Sequence, residues 1–130
     1  MTLEVHIVTP EREVWAGDVQ ELIAHGVDGE VGILGGHAPL LVQLAIGPLR
    51  MLRDEGEQAA VVDGGFLHVS SHEGVTRADV LASYAELADE IDVTAARHRL
   101  EELENRADED DDGRVAGEIA KASARIKLAG

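Results

Sequence analysis

The chain contains no cysteine, so no disulfide staples it, no thiolate can act as a nucleophile and no metal can be held through sulfur. Aromatic residues are nearly absent too. Trp15, Phe66 and Tyr84 are the full set, which means that any core must be assembled from closely packed Val, Ile, Leu and Ala. Cations are scarce: 11 Lys and Arg stand against 26 Asp and Glu, for a net charge of −15. Nucleic acid and anionic membrane surfaces attach mainly through Lys and Arg, so both are poor partners, and a basic protein surface is the electrostatic expectation. No apolar run approaches the roughly 20 residues needed to span a bilayer. The opening MTLEVHIVTPERE resembles neither a secretory signal nor an Arg-rich transit peptide, so any membrane role is expected to pass through a partner.

What the 130 residues do contain is turn punctuation. From Leu3 to about Ser83, short extended runs alternate with Gly, Pro and Asp clusters about every 8–12 residues, the spacing of a sandwich or barrel. Strands are predicted at about ten places: 3–8, 13–15, 19–25, 30–34, 40–45, 49–53, 58–62, 66–70, 75–77 and 80–82. Turns are expected between them, including Gly35-Gly36, Gly47-Pro48 and Asp63 to Gly65. No helix-length segment separates the strands, which argues for antiparallel pairing closed into two layers. The most informative stretch is GEVGILGGHAPLLVQL at 29–44, where Val31 and Ile33 share one face, Gly35-Gly36 permits a sharp turn and Pro39 opens the next strand.

After Tyr84 the period changes. Val93, Ala96, Leu100, Leu103 and Ala107 recur at steps of three and four and predict a helix capped by Asp92. The run Asp108-Glu109-Asp110-Asp111-Asp112-Gly113 interrupts it, and Val115, Ile119, Ala122 and Ile126 define a second stripe. The organisation expected is therefore an N-terminal antiparallel β-sandwich at residues 1–84, a connector at 85–92 and an antiparallel two-helix hairpin at 93–130. The alanine-rich inner faces of the hairpin bury little area, so the arm should be held less firmly than the sandwich. Charge divides the same way: 16 acids and 4 cations precede Asp92, whereas 10 acids and 7 cations follow from it onward. Arg97, Arg99, Arg106, Arg114, Lys121, Arg125 and Lys127 are a candidate surface for an acidic partner, the alternative being solvated helix faces with intrahelical pairs.

Catalytic motifs are missing. No Ser lies in a Gly-x-Ser-x-Gly elbow, and residues 29–36 lack the Lys-Ser/Thr ending of a phosphate loop. His25, His37, His68 and Glu30 would suit a small metal-dependent sandwich enzyme only if folding gathered them, since no compact ligand motif is present. An acidic adaptor with a coiled-coil hairpin is a further alternative.

The order GEVGILGGHAPLL, then VDGGFLHV, then LASYAELADEIDVTAA and a hairpin, with Trp15-Ala16-Gly17 early, resembles the ε subunit of bacterial F-type ATP synthases over nearly the whole chain. The resemblance implies a non-catalytic rotor subunit, without cofactor or metal, that links γ and the c-subunit ring to the catalytic head of α and β subunits. On the same resemblance, a peripheral place at the cytoplasmic face of the bacterial cell membrane is expected. The resemblance also implies that Glu30, Gly36, His37, Ala38 and Pro39 meet the c ring and γ, and that the seven hairpin cations meet the β subunit when the arm extends and inhibits hydrolysis. Some members bind ATP through Ile/Leu-Asp-x-x-Arg-Ala. Here Ile91, Asp92 and Ala96 match but Ala95 replaces the arginine, so the bidentate phosphate contact is lost and weak or absent ATP binding is expected.

Overall fold

The computed structural model describes residues 2–106 and 113–129. Its strands are β1 (Leu3–Val8), β2 (Glu13–Val19), β3 (Glu21–Gly26), β4 (Gly29–Leu34), β5 (Leu40–Arg53), β6 (Gly56–His72), β7 (Val75–Leu81) and β8 (Ala85–Leu87). They form one sheet in the order β2-β1-β7-β6-β5-β3-β4, with β8 added to β6. Tight hairpins set much of the register. Between β6 and β7, for example, Glu73 and Gly74 both take positive φ (50° and 81°), the type I′ geometry whose twist matches that of paired strands.

The sheet folds into a sandwich because β5 and β6 each serve two layers. β3 pairs chiefly with Leu49 to Leu52 and β8 with Ala60 to Val62, whereas β7 pairs with Phe66 to His72. One layer therefore holds β4, β3, the second half of β5, the first half of β6, and β8. The other holds the remaining halves with β7, β1 and β2. Leu3, Val5 and Ile7 from the second layer share one core cluster with Leu22, Ala24 and Ile33 from the first. Aliphatics supply this core, as the shortage of aromatics requires; Leu3, Ile7, Leu22, Ile33, Leu49, Met51 and Leu67 are its largest fully buried side chains.

Two features differ from the sequence expectation. Eight strands are present where about ten were predicted: 75–77 and 80–82 are one strand, the predicted connector supplies β8 by pairing with β6, and Gly47-Pro48 and Asp63 to Gly65 lie inside continuous strands of 14 and 17 residues. At those places the chain exchanges faces without turning. In β5 the inward set changes from Leu40, Val42 and Leu44 to Leu49 and Met51, and in β6 from Ala60 and Val62 to Leu67 and Val69. The pairing continues across the change, from Ile46↔Asp63 to Leu44↔Gly65, so both strands switch at one level. Gly65 makes this possible: at φ +106° its α-carbon approaches β7 so closely that a Cβ would run into the Leu81 carbonyl oxygen. β3 skips residues 45–48, which gives Pro48 a stretch without a ladder partner on one side. The sheet is also not wholly antiparallel, since β1 and β7 run parallel; a long intervening chain satisfies the crossover that such a pair needs.

Beyond β8, a single 3₁₀ turn at Ala88–Glu90 leads to α1 (Val93–Glu104) and α2 (Arg114–Ala129). The Asp92 carboxylate accepts from the Ala95 amide at 3.0 Å and caps α1, as its position predicted. Ala96, Leu103 and Ala122 are buried, while Val93, Leu100, Val115, Ile119 and Ile126 are partly so, which reproduces both predicted stripes. α1 ends at Glu104, short of the predicted Ala107; that residue and the acidic run 108–112 lie outside the described residues.

Candidate functional site: two sandwich faces and a docked arm

The outer face of the β7 layer is open. Across it, register places Val8, Leu81, Phe66 and Gln43 in one row and His6, Asp79, His68 and Leu41 in the next. Leu81, Phe66 and Leu41 are 52%, 48% and 65% exposed, more than an unpartnered sheet face normally gives large apolar groups. Sequence reasoning passed over this patch. Its signal was Phe66 at an outward position between the inward residues Gly65 and Leu67, where a polar side chain would be expected.

Glu30 stands near the β3–β4 turn, directly opposite His25, and the two side chains approach to 3.4 Å in solvent. It borders a cleft of about 300 Å³ whose far wall is Leu40, Leu41 and Val42 at the start of β5. Gly36, His37, Ala38 and Pro39 form the link from the other end of β4 into β5. That link is anchored: the Gly36 amide donates to Thr76 Oγ1 at 2.7 Å, and Thr76 is buried on β7. The His37 amide donates to the Leu34 carbonyl at 3.1 Å, and its Nδ1–H donates to the Ala38 carbonyl at 2.7 Å, which leaves Nε2 available for a partner. Ala38 and Pro39 are exposed.

The arm covers the opposite face. α2 packs on β5 and β6, where Val61 is fully buried although it points away from the sandwich core. At the edge of this contact, Arg125 Nε donates to Glu86 Oε1 at 2.8 Å, and the Tyr84 hydroxyl donates to the same oxygen at 2.5 Å. The Lys121 ammonium sits 3.7 Å from the centre of the Tyr84 ring. Burial, aided by Glu86, pushes the Tyr84 phenol well above its ordinary range, and the Glu86 bond raises Arg125 further. A second tie holds the connector: Arg12 grips Glu90 through two nitrogens, at 3.1 and 3.4 Å. That guanidinium, together with the Leu87 amide, holds the Glu90 carboxyl below its usual value.

The seven predicted cations thus separate. Lys121 and Arg125 face the sandwich, Arg99 pairs with Glu102 at 3.1 Å along α1, and Arg97 and Lys127 lie on exposed helix surface. Arg106 lies just after α1 and Arg114 opens α2. Of the nucleotide-motif positions, Asp92 has one oxygen engaged in capping, Ala96 is fully buried and Ala95 is exposed. His25 and Glu30 meet, but among the described residues no three His, Asp or Glu side chains are grouped to hold a metal. Nor is any described helix long and apolar enough to cross a membrane.

Residues 2–88 match the family described as ATP synthase, Delta/Epsilon chain, beta-sandwich domain. The chain belongs to the ATP synthase epsilon-chain family. It is 45% identical to the ATP synthase epsilon chain of Thermobifida fusca (strain YX), with 98% of this chain and 91% of that one covered. It is 39% identical to the epsilon chain of Synechocystis sp., covering 100% and 98% respectively. Among solved structures it resembles a chain of the Euglena gracilis mitochondrial ATP synthase OSCP/F1/c-ring assembly, with a TM-score of 0.76 and 26% identity over 98% of this chain and 80% of that one. The family is that of a non-catalytic subunit of the complex, and nothing found supports the metal-enzyme or free-adaptor alternatives.

Proposed function

We propose that this epsilon-family chain works as a central-stalk subunit, turning with γ and the c-subunit ring and restraining ATP hydrolysis with its C-terminal arm. The observation that carries the reading is the unequal attachment of the two parts: a sandwich with a continuous core bears an arm seated through a few small side chains. Glu30, Gly36, His37, Ala38 and Pro39 contact the c ring and γ, with Glu30 offering its carboxylate to a basic ring loop. The open Phe66–Leu81 face adds apolar area for γ. Extended, the arm presents Arg97, Arg99, Arg106, Arg114, Lys121, Arg125 and Lys127 to an acidic surface of the β subunit, and it inhibits by obstructing rotation. The chain sits peripherally at the cytoplasmic face of a bacterial cell membrane, through its partners.

Reconstitution with a γ-containing catalytic head tests this reading. Full-length chain should suppress hydrolysis, and a chain ending at Ile91 should bind without suppressing it. Equal hydrolysis with both would remove the arm's inhibitory role and leave the coupling role of the sandwich. With alanine at position 95, calorimetric titration should detect weak or no ATP binding, and micromolar affinity would overturn that reading.

A further inference from the structure

The arm rests on one transverse row of the sheet. Pro48 on β5, Val61 on β6 and Glu86 on β8 are successive register partners, so the row runs from two apolar side chains to a carboxylate. Val61 is sealed under α2, and Ile46, at the apolar end, lies within contact distance of where a Cβ would stand on Gly117. The polar end is more specific. A single oxygen, Glu86 Oε1, accepts from both Arg125 and Tyr84, and the ring of Tyr84 carries Lys121 on its face. The Arg125 and Glu86 side chains are each only 18% exposed, so salt screens their attraction less than that of an open surface pair.

Lys121 and Arg125 are also two of the seven cations that the proposed function assigns to the extended arm. Each can satisfy only one of these settings at a time. We propose that Tyr84 and Glu86 form a latch that competes with the acidic partner surface for Lys121 and Arg125, so the docked arm withholds the very charges that inhibition uses. This inference rests on the reading of the arm as an inhibitor that extends toward an acidic surface. Its consequence is a population effect: partner binding is weakened by the fraction of arm that is docked, and loosening the latch from the sandwich side tightens the apparent binding. Loosening it from the arm side also removes a binding cation and yields no such gain.

That asymmetry is measurable. The chain has no native cysteine, so one introduced at Glu55 on the sandwich and one at Ser123 on α2 can carry a donor–acceptor pair that reports the docked fraction. Glu86→Gln should lower the docked-to-released ratio about tenfold, the scale of one lost charge-assisted hydrogen bond, and should inhibit a γ-containing head at lower concentration. Arg125→Gln should release the arm to a similar degree without improving inhibition. Trp15 fluorescence checks that the sandwich stays folded in each variant.

An unchanged docked fraction in Glu86→Gln would overturn the latch. Release by both variants with equally improved inhibition would overturn the competition, because Arg125 would then not be shared. Release in Glu86→Gln, with neither wild type nor variant inhibiting, would refute the inhibitory reading and the competition with it, while the latch itself would stand.

Discussion

The sandwich and the arm are built from the same aliphatic vocabulary and end with very different attachments. The sandwich closes Leu3, Ile7, Leu22, Ile33, Leu49, Met51 and Leu67 into one cluster, with strand ladders linking every member. In the arm, Ala96, Leu103 and Ala122 are the fully sheltered side chains among the described residues, and Leu103 alone is large. Because stabilisation scales with apolar area removed from water, the sandwich should behave as one cooperative body and the arm as a separable unit with a lower opening free energy. Polar contacts at Glu86, Tyr84 and Glu90 then matter more to the arm than similar contacts would to the sandwich.

The largest effect should come from Gly65→Ala. It places a methyl against the Leu81 carbonyl at a backbone angle that alanine avoids, and about 4 kcal/mol of sandwich stability should be lost, read as a lower urea midpoint at unchanged slope. Gly74→Ala supplies the contrast. It also has positive φ but nothing within 4 Å, and it should cost only about 1–2 kcal/mol. Similar losses at the two sites would mean that the close approach to β7 is not what Gly65 supplies.

Next in size is Leu103→Ala, which empties the one large buried position of the arm. A loss of about 2–3 kcal/mol in the packing of α1 on α2 is expected, visible as faster amide exchange in α1 and α2 while β1, β5 and β6 keep their protection. If strand amides lose protection equally, the two parts unfold as one and the comparison fails.

The smallest effects are those of pH. A Glu90 carboxyl held low by Arg12 contributes above the ordinary carboxylate range, and that contribution disappears as pH falls through its depressed folded value. The exposed pair therefore supports the connector at neutral pH and only weakly, because solvent screens it. Tyr84 has the opposite sense: its raised folded value means a contribution intact below pH 10.0 and lost as pH climbs above it. As the only tyrosine, it can be titrated by phenolate absorbance. Ionisation should begin well above pH 10.0 in the intact chain and near it in the chain ending at Ile91, whereas a midpoint near 10.0 in both would show that the arm does not shelter the ring.

Much of this architecture was legible in the sequence. Period-two runs gave the strands, the Asp92 cap and both helix stripes were visible in spacing, and the burial of Ala96 and Ala122 on the inner helix faces followed from composition. The two misread turns share one cause. Gly47-Pro48 and Asp63 to Gly65 carry the residues of turns, but glycine and proline mark any departure from regular strand geometry, and here the departure is a change of face inside a paired strand. Side-chain pairing across elements was beyond local pattern: nothing near Glu86 in the sequence announces Arg125, 39 positions away. Phe66 could have been noticed by parity alone. The loop at 36–39 was found through its wording, whereas its anchor, Thr76, was not, because a buried threonine in a strand has no sequence mark.

The shared strands β5 and β6 have a mechanical consequence. In a sandwich whose layers touch only through side chains, a twist applied to one layer is resisted by packing, which can slip. Here both central strands run covalently from one layer into the other and are hydrogen-bonded to each other across the crossing. A torque applied to the open Phe66 face would therefore reach the arm-bearing face through two peptide backbones, which suits the sandwich to act as a solid coupling.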